Sequence, residues 1–126
     1  MTPFGVRVRE LRAARGITLK QMAEDMGLSS AYLSALEHGH RGRPGSGFVM
    51  QVCAYFELIW DEAEELKQIA RRSHPRVVVD TSGLSPRATE LANLLAETIG
   101  ELDEQTIDWI LDEVRLRTGT IKGPPD

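Results

Sequence analysis

The twenty residues Leu19–His38, LKQMAEDMGLSSAYLSALEH, decide the reading of this chain. They hold a helix of about eight residues, a glycine turn and a second helix, the pattern of a helix-turn-helix. Such a pair makes specific demands on packing. Ala23 must be small because the second helix crosses close over it. Gly27 must take the left-handed conformation that a side-chain-bearing residue resists. Met22, Met26, Leu28, Leu33 and Leu36 must be apolar to join the two helices, and all seven positions comply. Thr18 followed by Gln21 has capping-box spacing and starts the first helix, while Ser29 or Ser30 caps the second.

Working outward, Phe4, Val8 and Leu11 recur at i, i+4 and i+7 between Arg7, Arg9, Glu10 and Arg12, as a half-buried helix from Phe4 to Arg15 requires. Gly16 ends it. The stretch from His38 to Gly47 is too rich in Gly and Pro to be anything but loop. Phe48, Val49, Val52, Cys53 and Phe56 mark a fourth helix. Ala63, Leu66, Ile69 and Ala70 mark a fifth within the acidic run from Asp61 to Glu65, with Trp60 expected in the core. Residues 1–72 thus form one domain.

Residues 73–84 read as an extended connector, with a short strand possible at Val77-Val78-Val79. Ser85-Pro86 is a helix start, and Leu84, Ala88, Leu91, Leu95 and Ile99 share one face of the helix that Gly100 closes. Asp103 caps the last helix, whose stripe is Ile107, Ile110, Leu111 and Val114. Residues 85–117 are therefore a helical hairpin, and residues 118–126 a frayed tail.

The chain has 126 residues and a net charge of −4, which argues at first sight against a polyanionic partner. The total misleads. Residues 1–46 carry seven Lys or Arg against four Asp or Glu, whereas residues 47–126 carry eight against fifteen. A basic contact surface joined to an acidic scaffold would look like this. No apolar run approaches the roughly 20 residues that span a bilayer, and Met1 to Arg15 lacks a signal-like apolar stretch, so no membrane partner and a cytoplasmic address are expected. Cys53 is the only cysteine, which excludes an internal disulfide framework and any zinc site of several thiolates; it is expected to fill core space.

With further matches in Leu11-Arg12-x-x-Arg15-Gly16-Ile17-Thr18 and Tyr32-Leu33-Ser34-x-Leu36-Glu37-x-Gly39, residues 4–72 resemble the XRE family of DNA-binding proteins, which includes the lambdoid phage repressors and Cro. The resemblance implies an all-α fold: a five-helix lambda-repressor-like domain, followed here by the two-helix hairpin. It implies that the third helix enters the major groove while the second crosses the backbone. Ser30, Ala31, Tyr32, Ser34 and Ala35 match the exposed start and outer face of the recognition helix and should face base edges. They suit apolar and single hydrogen-bond readout, with no Arg or Gln for bidentate reading. Thr18, Lys20, Ser29, Arg41 and Arg43 are the expected phosphate contacts. Arg12 and Glu37 match a structural ion pair between the first and third helices. Leu19 departs from the family, many of whose members place there a Gln that touches phosphate.

Other chemistry finds little support. His38 and His40 lie in a loop without Cys or carboxylate partners, so they are read as solvated or phosphate-facing and no metal or cofactor is expected. No nucleophile elbow, metal-water motif or phosphate-cradling loop occurs, so the chain is not expected to be an enzyme. The two C-terminal helices have no independent core and need another surface. That surface is either the first domain or the same hairpin on a second chain, which would form a four-helix arrangement through Leu91, Leu95, Ile107, Trp109, Ile110, Leu111 and Val114. The second is the leading reading and makes the chain a sequence-specific transcription regulator, a homodimeric repressor on an inverted-repeat operator in double-stranded DNA. The runner-up is an antitoxin or adaptor whose C-terminal helices bind a partner protein.

Overall fold

Local hydrogen bonding at the helix starts sets the element order. Thr2 accepts the Gly5 N–H at 3.2 Å and Pro3 takes the first helical position, which opens α1, Pro3–Arg15. Thr18 caps α2, Leu19–Met26, and Ser29 caps α3, Ser30–Glu37, each hydroxyl oxygen accepting a backbone N–H three residues on. Gly27 ends α2 at φ 71°, the left-handed turn that the motif demands. Gln21 does not return the cap: its amide donates forward to Asp25 at 2.7 Å, so only half of the expected capping box forms. Helices α4, Ser46–Tyr55, and α5, Trp60–Arg71, complete a first unit that runs from Met1 to Val78. A computed structural model describes residues 1–120, and all regular secondary structure among them is helical.

The core of this unit is one cluster. Phe4, Val8 and Leu11 of α1 meet Met22 and Ala23 of α2, Leu33 of α3, Val49, Val52 and Cys53 of α4, Phe56, and Leu66 and Ala70 of α5. α1 packs on α3 and α5, α2 on α3, and α4 on α5. Gly5 permits the α1–α3 approach, because a Cβ there would run into the Glu37 carbonyl. That same carbonyl accepts both the N–H and the hydroxyl of Thr2, each at 3.1 Å. Arg15 ties the end of α1 to the end of α4, donating to the Phe56 carbonyl at 2.9 Å with its guanidinium over the Phe56 ring.

Further expectations change. Trp60 is 90% exposed rather than core. It is the first residue of α5, and at about 100° per residue it lies roughly 120° around the helix from the buried Leu66. Residues 73–78 stay with the first unit: Ser73 is buried, accepts the Phe4 N–H at 2.9 Å and donates to the Ile69 carbonyl at 2.6 Å. The valines at 77–79 form no strand and are exposed.

The second unit begins at Val79. Ser85 caps α6, Pro86–Thr98, and Asp103 caps α7, Glu104–Thr118. Gly100 lies inside a short 3-10 turn, Ile99–Glu101, rather than ending α6. No residue of either helix is buried. The tail expected from residue 118 loses Thr118 to α7 and Gly119 to its cap, and residues 121–126 lie outside the described residues.

Candidate nucleic-acid interface

Helix α3 is sharply two-sided. Leu33, Leu36 and Glu37 are buried, while Ser30, Ala31 and Tyr32 are exposed and Ser34 and Ala35 half-buried. The buried side holds the helix by two means. Leu33 and Leu36 pack inward, and Glu37, only 2% exposed, receives Arg12 of α1: one guanidinium nitrogen lies 2.9 and 3.0 Å from the two carboxylate oxygens. Burial pushes the Glu37 carboxyl above the ordinary carboxylate range, and the adjacent Arg12 charge opposes that push. This pair ties the last residue of α3 to α1.

Donors and cations lie at the start of α2, at the start of α3 and in the loop that follows it. The exposed hydroxyls of Thr18 and Ser29 accept their helix-cap N–H groups at 3.0 and 3.1 Å, which leaves each O–H free to donate. Lys20, Arg41 and Arg43 are all exposed. Leu19, in the place of the expected glutamine, is half-buried and packs against the core. Beyond α3 the loop folds back on the helix. The His38 and His40 N–H groups donate to the Ser34 and Ala35 carbonyls, both at 3.0 Å, and the His38 ring nitrogen Nδ1 lies 2.9 Å from the Ser34 carbonyl. Among the described residues no three His, Cys, Asp or Glu side chains are grouped to hold a metal ion.

With this geometry in place, comparison decides the family. A family model described as a helix-turn-helix domain matches residues 3–66, about half of the chain. The chain belongs to the helix-turn-helix domain family. It is also similar to the uncharacterized HTH-type transcriptional regulator RghRB of Bacillus subtilis (strain 168), at 39% identity over 61 residues, which are 48% of this chain and 44% of that protein. The chain thus spans less than half the length of this curated relative. No solved structure gives a significant match. An XRE-like helix-turn-helix, as the resemblance implied, is what the chain carries.

Two features of this helix-turn-helix domain escaped sequence reasoning. A cleft of about 380 Å³ at the start of α4 is lined by Arg43, Ser46, Lys67 and Arg71, so two cations of α5 join one from the loop. Lys67 and Arg71 sit four apart on α5, which sequence spacing does display, but only folding brings them beside Arg43. Likewise, Tyr55 of α4 donates its hydroxyl to Asp25 of α2 at 2.6 Å, bracing the first helix of the motif. The residues expected at a dimer interface divide: Leu91, Trp109, Leu111 and Val114 are exposed, while Leu95, Ile107 and Ile110 are half-buried. Among the described residues no helix is long and apolar enough to cross a membrane.

Proposed function

We propose that the chain is a sequence-specific regulator of transcription that binds double-stranded DNA with α3 in the major groove. The observation that carries this reading is the two-sided α3, clamped from beneath by Arg12 and Glu37 and presenting Ser30, Ala31 and Tyr32 outward. Ser30 and Ser34 offer hydroxyls to base edges, and Ala31 and Ala35 suit a thymine methyl. Lys20, Arg41, Arg43 and the helix starts at Thr18 and Ser29 would hold phosphates, which supply most of the affinity and its salt dependence.

The same reading makes the protein a homodimer. Leu91, Leu94, Trp109, Leu111, Val114 and Leu116 are each exposed by two-fifths or more, an apolar surface that a second copy of α6 and α7 would cover. Two-fold pairing would set two α3 helices about 34 Å or a multiple apart, matching an inverted-repeat operator. Occupying a promoter in this way would repress it. The same exposed apolar residues also suit a different protein, which would make the chain an antitoxin or adaptor.

Selection from a random duplex library, followed by gel shifts on the best sequence, tests the first reading: an enriched inverted repeat is expected. Equal affinity for every duplex would refute it. Sedimentation of the purified protein separates the two assembly readings, since a stable dimer favours the homodimeric regulator and a monomer that co-purifies with a partner favours the adaptor.

A further inference from the structure

The outer face of α3 has no bidentate hydrogen-bond donor of its own, since Ser30, Ala31, Tyr32, Ser34 and Ala35 make up that face. The loop that follows supplies one. The guanidinium carbon of Arg41 lies 5.0 Å from the centroid of the Tyr32 ring, within the range of a cation–π stack. Both side chains are exposed, and among the described residues Arg41 makes no salt bridge. The ring is thus what places it. A guanidinium carries its N–H donors in its own plane, so a stack on its face leaves the donor edge free.

The loop geometry supports this placement. His40 N–H donates to the Ala35 carbonyl at 3.0 Å and Gly42 N–H to the Gly39 carbonyl at 3.1 Å, so the backbone on both sides of Arg41 is hydrogen-bonded. Tyr32 is the third residue of α3. The first turn of a recognition helix is the part that meets base edges.

We infer that Tyr32 is a positioning residue that holds Arg41 against the outer face of α3, and that Arg41 thereby reads a guanine through its O6 and N7 edge in the major groove. This rests on the DNA-binding reading above and revises the expectation that Arg41 touches phosphate alone. Phosphate oxygens accept the same donor pair, so the test must separate base from backbone.

The experiment uses the full chain and the best duplex selected by the wild type. Affinity is measured on that duplex and on versions with each guanine replaced in turn by 7-deazaguanine, which lacks the N7 acceptor. One replacement should weaken the wild type by about 5- to 100-fold. Arg41→Ala should be indifferent to that replacement, Tyr32→Phe should keep the wild-type response because the ring remains, and Tyr32→Ala should lose most of it. Tyr32→Ala combined with Arg41→Ala should bind no more than about twofold worse than Arg41→Ala, as expected for one unit. Thermal melts of all variants should match the wild type, because both side chains lie on the surface. If Arg41→Ala instead weakens every duplex equally and flattens the salt dependence while the 7-deazaguanine response persists, Arg41 is a phosphate contact and the inference falls. Multiplying penalties for the two substitutions would also overturn it. A wild type that enriches no duplex would overturn the DNA-binding reading itself, which is a distinguishable result.

Discussion

Helices α1–α5 and helices α6 and α7 are built by the same local rules and end in opposite states. Each group is opened by side-chain caps, Thr2, Thr18 and Ser29 in one and Ser85 and Asp103 in the other, and each carries apolar residues at helical spacing. In the first group those residues close on one another until Val8, Met22 and Val52 have no exposure. In the second, Leu91 is 58% and Trp109 65% exposed. Periodicity specifies a helix and its apolar face, whereas burial needs facing surfaces. Five crossing helices provide those surfaces for one another.

Substitutions test this contrast. The largest effect is expected for Glu37→Ala, which strands the buried Arg12 charge and should cost about 3–5 kcal/mol in urea unfolding. The exposed Arg117–Glu113 pair of α7 is its counterpart, and Glu113→Ala should cost under about 1 kcal/mol. Equal losses would erase the distinction between the two regions. Next, Leu33→Ala should destabilise the first unit by about 2–5 kcal/mol through an empty core volume. Leu91→Ala should leave the melting of that unit unchanged.

Assembly should respond in the reverse order. Trp109→Ala is expected to weaken a homodimer by about 2 kcal/mol or more in sedimentation equilibrium, while Leu33→Ala leaves the association of the folded chain as it was. A Trp109→Ala protein with the wild-type dimer constant would remove that side chain from the interface.

A last effect concerns pH. Burial, reinforced by the Asp25 hydrogen bond and charge, pushes the Tyr55 hydroxyl up from 10.0 to about 12. The folded chain therefore holds this proton more tightly than the unfolded chain. The corresponding stability is complete below pH 10 and is lost as pH rises through about 12. Tyr55→Phe should abolish that slope and remove a late-ionising phenol from the absorbance titration. If the phenol that the substitution removes had titrated near its ordinary 10.0 instead, Tyr55 would be dissociated from Asp25.

Much of this architecture was legible because it is local. Thr18, Ser29, Ser85 and Asp103 each bond to an N–H three residues away, and Gly27 turns on its own conformational freedom, so a reader of the sequence needs only neighbouring residues. The outer face of α3 was legible for the same reason, as the side left over once Leu33 and Leu36 turn inward. Arg12 with Glu37 came from family resemblance rather than from spacing. Trp60 misled because its size suggests burial while its position at a helix start, off the Leu66 face, decides exposure. Ser73 read as the start of a connector because its partner, Phe4 N–H, lies 69 residues away.

The sequence alone determined the helices, their caps, the turn at Gly27 and the family to which the motif belongs, because those depend on hydrogen bonds and periodicities that close within a few residues. Only the tertiary structure decided that Gly5 meets the Glu37 carbonyl, that Lys67 and Arg71 join Arg43 around one cleft, and that Arg41 comes to rest on Tyr32. Such contacts depend on the crossing of elements distant in the chain, and steric fit among them carries no signature that local spacing displays.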